Sequence, residues 1–220
     1  MQRRRWSLRS TFVALTVGFD LDMTLLDTRA GIAAAFRELS RLTGVTIDTD
    51  LVVGRLGPPL RTEMAYWFPA EGIEDAVTLY RALYETYAIA PAVALPGAVA
   101  SIDAVHRAGG KVVVITSKLG RLAELHLSHL RLDVDAVHGD VFAEQKGEVL
   151  KAVDAFAMVG DHVADMRAGL VAGVHRVGVT TGPCSAAELE AAGAEWILPG
   201  LQGFPAWWST HDLSWPPGER

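Results

Sequence analysis

Val17-Gly18-Phe19-Asp20-Leu21-Asp22-Met23-Thr24 is the stretch on which the reading of this chain turns. It closes an apolar run over residues 12–19 and ends on two carboxylates. A short, continuous apolar run of this kind suits a strand buried on both faces. Side chains two apart on an extended chain point the same way, so Asp20 and Asp22 are predicted to project together. They would do so at the carboxyl end of a central parallel strand, where open α/β sheets bind ligands. Two carboxylates about 4 Å apart repel by roughly 4 kcal/mol at an effective dielectric near 20. A proton or a cation has to relieve such a pair. Oxygen ligands suit Mg²⁺, which keeps several waters and works beside substrate phosphates. Taken alone, the same residues also read as a strand-end turn with Asp favoured for its local hydrogen bonds.

Outward from this stretch two patterns alternate. Apolar runs at residues 111–116, 134–138, 155–159 and 175–180 predict further buried strands. Helical spacing, often closed by Gly, occupies residues 97–108, 119–130, 147–153 and 163–172. Strand–helix–strand repetition predicts an α/β fold, a doubly wound parallel sheet with helices on both faces. The alternation is interrupted once. Residues 27–91 show no convincing strand, only helical candidates at 29–42, 58–67 and 73–87. This predicts an inserted, all-helical cap domain at 27–94 and a discontinuous core at 11–26 and 95–208. Residues 1–10 and 209–220 are expected to be loose tails.

Three other strand ends carry chemistry. Met158-Val159-Gly160-Asp161-His162-Val163-Ala164-Asp165 places a carboxylate directly after a buried strand and another one helical turn on. Asp161 can be read as a helix cap, but two acidic strand ends in one sheet also predict a shared cation site. Thr116 and Ser117 end the strand at 111–116, where hydroxyls and helix-start N–H groups are donors for phosphate oxygens. Lys146 opens a helix, where a cation opposes the dipole, and that local penalty argues for a functional reason.

Together these pieces resemble the phosphatase branch of the haloacid dehalogenase superfamily, over residues 17–198. The resemblance rests on Asp20, Asp22 and Thr24 after the first strand, Thr116, then Lys146, then Asp161 and Asp165. The helical insert is similar to the cap of the phosphoglycolate phosphatase and β-phosphoglucomutase relatives. The resemblance implies a Mg²⁺-dependent phosphatase acting on a small phosphorylated metabolite, phosphoglycolate-like or a sugar phosphate, with Asp20 as nucleophile and Asp22 as acid and base. Thr116, Ser117 and Lys146 would bind the phosphoryl group. Asp20, Asp22 (through its main-chain carbonyl) and Asp161 would hold the metal, with Asp165 behind them. In the insert, Arg55 and Arg61 are candidates for pairing with a substrate carboxylate or second phosphate, and each also reads as an exposed helix-end Arg. Ser117, Gly147 and His162 depart from the residues frequent in relatives at those positions.

A phosphomutase would share all these residues, and a non-catalytic binder of phosphorylated ligands is the alternative from another class. Dehalogenation is disfavoured by the presence of Asp22. Phosphonate cleavage through a cap Lys is disfavoured because no Lys lies between Asp27 and Pro91. With 50% hydrophobic and 21% charged residues in 220, the chain can hold one full domain and an insert. A net charge of -6 argues against a nucleic-acid partner. No run is long enough to span a bilayer, and the sole cysteine, Cys184, excludes an internal disulfide, so a cytoplasmic location is expected. The basic cluster Arg3, Arg4, Arg5 and Arg9 reads as a solvated tail, and His126, His129 and His138 are expected to lie away from the cleft.

Overall fold

The apolar runs do form a parallel sheet. The computed structural model describes residues 15–210, and the arginine cluster lies outside them. Strands β1 (Thr16–Phe19), β4 (Lys111–Ile115), β5 (Ala136–His138), β6 (Ala155–Gly160), β7 (His175–Val179) and β8 (Trp196–Leu198) lie in the order β5-β4-β1-β6-β7-β8. All five pairings are parallel. The chain builds outward from β1 through β4 to β5, then returns to the other side of β1 at β6. That reversal puts the carboxyl ends of β4, β1 and β6 side by side at a switch point.

Both faces of the sheet are covered, which is why its strands read as unbroken apolar runs. Val112 and Val114 pack with α5 (Ala98–Arg107), α6 (Gly120–Leu130) and α10 (Phe204–Thr210). Val113 and Ile115, pointing the other way, pack with α7 (Glu144–Ala152) and α8 (Val163–Ala172). α10 brings Phe204, Trp207 and Trp208 into the first of these layers. Ser209 and Thr210 belong to that helix rather than to a loose tail, each hydroxyl donating to the Ala206 carbonyl.

The interruption is helical, as expected. It holds α1 (Arg29–Thr43), α2 (Thr49–Val53), α3 (Leu60–Met64) and α4 (Ile73–Tyr87). Ile32, Phe36, Leu39, Val52, Met64, Val77, Tyr80 and Tyr84 form a separate apolar cluster, which Leu122 of α6 joins. The chain enters and leaves this segment through a two-residue antiparallel ribbon, β2 (Leu26–Asp27) with β3 (Val93–Ala94). Among the described residues no helix is long and apolar enough to cross a membrane.

Candidate active site

Asp20 follows the last residue of β1, and its N–H donates to the Val159 carbonyl of β6 at 2.9 Å. The ladder thus carries Asp20 up to the start of the β6 turn, where Asp161 stands. Asp161 does not cap α8. His162 does, its Nδ1 accepting from Ala164 N at 3.1 Å while Asp165 accepts from His162 N at 3.2 Å. Burial lowers the His162 pKa, in keeping with a ring nitrogen that must accept. With the cap supplied by its neighbour, the Asp161 carboxylate is left to receive Thr24 Oγ1 at 2.7 Å. Met23, at φ 61°, makes the turn that delivers Thr24, and Thr181 Oγ1 pins the Met23 carbonyl at 2.5 Å.

Lys146 is 3% exposed, and it donates to Asp20 Oδ1 at 2.8 Å and Asp165 Oδ1 at 2.7 Å. Gly147 lets it do so. A Cβ there would stand 2.8 Å from Val171 and 3.0 Å from the Ala168 carbonyl, so only glycine allows α7 this close to α8. Asp20, Asp161 and Asp165 each place a carboxylate oxygen within 4.8 Å of the others, and all three are buried. Burial pushes the Asp20 pKa up to about 6, against the pull of Lys146. Burial, then the charges of Asp20 and Asp165, raise Asp161 well above the usual carboxylate range. For Lys146 burial works the other way, but Asp165 and Asp20 outweigh it and hold the ammonium charged. One ammonium among three buried carboxylates leaves two negative charges uncompensated when all are ionised.

Asp22 is held apart from this cluster. The chain leaves the strand after Phe19, and Thr24, Leu25 and Leu26 all turn their N–H groups back to the Leu21 carbonyl. The Asp22 carboxylate accepts instead from Thr28 Oγ1 and Lys118 Nζ, both at 2.5 Å. Asp20 and Asp22 still line one cavity, but their predicted mutual repulsion is relieved by two different lysines. The Asp22 carboxylate is not among the three that converge, Asp20, Asp161 and Asp165, so any metal role falls to its main chain. Burial would raise its pKa, yet Lys118, with the Thr28 hydroxyl, holds it below the usual range. Thr28 stands at the N-cap of α1 without capping it, because its hydroxyl is committed to Asp22.

Lys118 also donates to Tyr84 Oη at 2.7 Å, and Tyr84 lies 3.0 Å from His126 Nε2. An ammonium can only donate, so Tyr84 Oη accepts from Lys118 and shares one hydrogen bond with His126 Nε2. His126 Nδ1 is buried without a hydrogen-bond partner, and burial, then Lys118, lowers the ring's pKa to about 4. His126 is therefore tied to the cleft through Tyr84, contrary to expectation. Lys118, two residues beyond Thr116, was not singled out by the sequence, and neither was its partner Tyr84 on α4.

Thr116 is buried at the end of β4, and its Oγ1 accepts from Lys118 N at 3.2 Å. Ser117 faces the helical segment, donating to the Gly57 carbonyl at 2.8 Å. Arg55 and Arg61 line the cavity, but each guanidinium is occupied. Arg55 pairs with Glu63 at 2.8 and 2.7 Å, and Arg61 grips Glu74 through both terminal nitrogens. Gly182, after β7, was not singled out by the sequence. A Cβ on it would fall 1.7 Å from Asp161 Oδ2.

Residues 17–179 match the family model of haloacid dehalogenase-like hydrolases. A relative named "Probable phosphatase IndB" from Dickeya dadantii is 30% identical over 82% of this chain and 87% of its own. The tyrosine-protein kinase PtkA of Mycobacterium tuberculosis is 28% identical over 74% of this chain, which spans 61% of that kinase's length. A haloacid dehalogenase-like family hydrolase from Streptococcus pneumoniae shares the fold, with a TM-score of 0.78 at 23% identity, over 88% of this chain and 98% of the other.

Proposed function

Since the chain belongs to the haloacid dehalogenase-like hydrolase family, we propose that it is a Mg²⁺-dependent phosphatase acting on a small phosphorylated metabolite through a phosphoaspartyl intermediate on Asp20. The observation that carries this reading is the charge imbalance of the buried cluster: Asp20, Asp161 and Asp165 around the single ammonium of Lys146. Two uncompensated negative charges and an all-oxygen donor set fit a divalent hard cation. Asp20, Asp161 and the main-chain carbonyl of Asp22 are the residues that would hold it. When bound, the ion supplies charge neutralisation at the phosphoryl oxygens.

Lys146 holds one oxygen of Asp20 and leaves the other to form the bond to phosphorus as the ester oxygen departs. Asp22 gives a proton to that leaving oxygen, then takes one from the water that cleaves the acyl phosphate. In the structure Lys118 holds Asp22 ionised, the state the second step needs. A substrate that draws Lys118 off Asp22 raises its pKa toward the protonated state that the first step needs. Thr116 and Lys146 face the phosphoryl oxygens, and Asp165 acts through Lys146 as a positioning residue. The helical segment, over residues 27–94, serves as the cap, resting on the core where Ser117 meets Gly57 and where Gly57 lies against the His162 ring.

Two measurements test the roles. Asp22→Asn keeps size and loses the proton shuttle, so turnover of alkyl phosphates should fall by about 10²–10⁴. The loss should be smaller for nitrophenyl phosphate, whose leaving group needs little protonation. Equal losses would remove Asp22 as general acid. Gly182→Ala should fold, yet displace the Asp161 carboxylate and cost roughly tenfold or more in Mg²⁺ affinity and turnover. Wild-type Mg²⁺ titration in that variant would show that Gly182 does not shape the site.

A further inference from the structure

The cavity above Asp20 and Asp22 has a volume of about 290 Å³ and is walled largely by the helical segment. Resting on the phosphatase reading, we propose that the leaving group seated there is uncharged and apolar, an alcohol bearing a ring-sized hydrocarbon group, rather than a carboxylate or a second phosphate.

The apolar lining of the cavity includes Ile32, Phe36, Val52, Leu56, Tyr80 and Leu122. The rings of Phe36 and Tyr80 lie 4.4 Å apart there. Among the described residues four cations also line the cavity, and each already has an acidic partner. Lys118 is matched to Asp22 at 2.5 Å and Arg81 to Asp140 at 3.6 Å. Arg61 is matched to Glu74. Arg55 is matched to Glu63 by two bonds and stacked 4.1 Å from the Tyr66 ring centre. Glu63 further receives Trp67 Nε1 at 2.7 Å. A substrate anion recruiting Arg55 would strip Glu63 of its partner and leave a largely buried carboxylate uncompensated. Asp20, Asp22, Glu63 and Asp140, all lining the same cavity, would meet that anion with like charge. An apolar group disturbs none of the three arginine pairs, leaves Lys118 to the transferring phosphoryl group, and takes its affinity from the wall. A mutase, whose substrate carries a second phosphate through the cycle, has no seat for it here.

The test compares benzyl phosphate, phosphoglycolate and glucose 6-phosphate on the wild-type protein with Mg²⁺. All three release a primary alcohol, so chemical reactivity is closely matched. Benzyl phosphate is expected to exceed both others about tenfold or more in kcat/KM, chiefly through a lower KM. Leu56→Asn should shrink that preference several-fold, with retained folding checked by melting temperature. If phosphoglycolate or the sugar phosphate is the equal or better substrate, the apolar assignment is wrong and the phosphatase reading stands. A preference unchanged in folded Leu56→Asn protein would equally overturn the seat on the helical wall. If none of the three is hydrolysed, the phosphatase reading itself falls, and this inference with it.

Discussion

Asp20→Asn protein is expected to fold, to release no phosphate above the uncatalysed blank, and to be at least as heat-stable as the wild type without metal. The first two outcomes follow because an amide cannot form the acyl phosphate, while its oxygen can still accept from Lys146. The third is a linkage argument. Burial raises the Asp20 pKa from an ordinary 3.8 to about 6, so the folded state binds a proton more tightly than the unfolded chain. Stability contributed by that protonation is present at low pH and is lost as pH rises from about 4 to about 6. Above that window the ionised carboxylate is a burden that the amide lacks. Melting curves in EDTA between pH 4 and pH 8 should therefore fall less steeply for Asp20→Asn than for the wild type. Phosphate release by pure mutant protein would end the phosphoaspartyl mechanism. Trapping with beryllium fluoride should mark Asp20 in the wild type and nothing in the variant.

Asp161→Asn separates metal binding from structure. Asp161 repels Asp20 and Asp165 and caps no helix, since His162 and Asp165 do that work. Without metal the variant should match or exceed the wild type in melting temperature, and Thr24 keeps an oxygen to donate to. Added Mg²⁺ should raise the wild-type melting temperature, because a ligand bound only by the native state stabilises it, by about 2.7 kcal/mol at a hundred times Kd. In the variant that rise should largely vanish and turnover should fall with it. Strong destabilisation of the metal-free variant would mean that Asp161 is structural after all.

The legible part of this protein is the part written in runs. Strands buried on both faces announce themselves as unbroken Val and Ile stretches, and the carboxylates or hydroxyls at their ends follow at once. β8 is three residues, Trp196–Leu198, and β2 and β3 are two each, too short to show any period. α2 was within reach: Asp48 accepts from Asp50 N and Leu51 N, an N-cap signal readable from residue type. At the site, the resemblance put Asp165 behind the metal ligands and the structure has it accept from Lys146, whereas the link from Asp22 through Lys118 to Tyr84 joins residues 96 and 34 apart in sequence. Nothing local marks such a contact. Likewise Ser117 was expected at the phosphate and is found holding Gly57, because which way a strand-end hydroxyl turns is decided by the segment folded over it.

The ribbon of Leu26 with Ala94 and Asp27 with Val93 brings the two ends of the helical segment together beside the sheet. The entropy of closing a loop rises only with the logarithm of its length, about 0.6 kcal/mol per doubling. The sheet is therefore nearly indifferent to how many residues hang from that ribbon. The six-residue wall that selects the leaving group belongs mostly to this pendant length, while Asp20, Thr116, Lys146 and Asp161 belong to the sheet and the helices packed on it. Selectivity and this part of the chemistry are thus separately heritable: the wall can be repainted by mutation without moving any of those four side chains, whereas Asp22 stays tied to the pendant length through Thr28 and, by way of Lys118, through Tyr84.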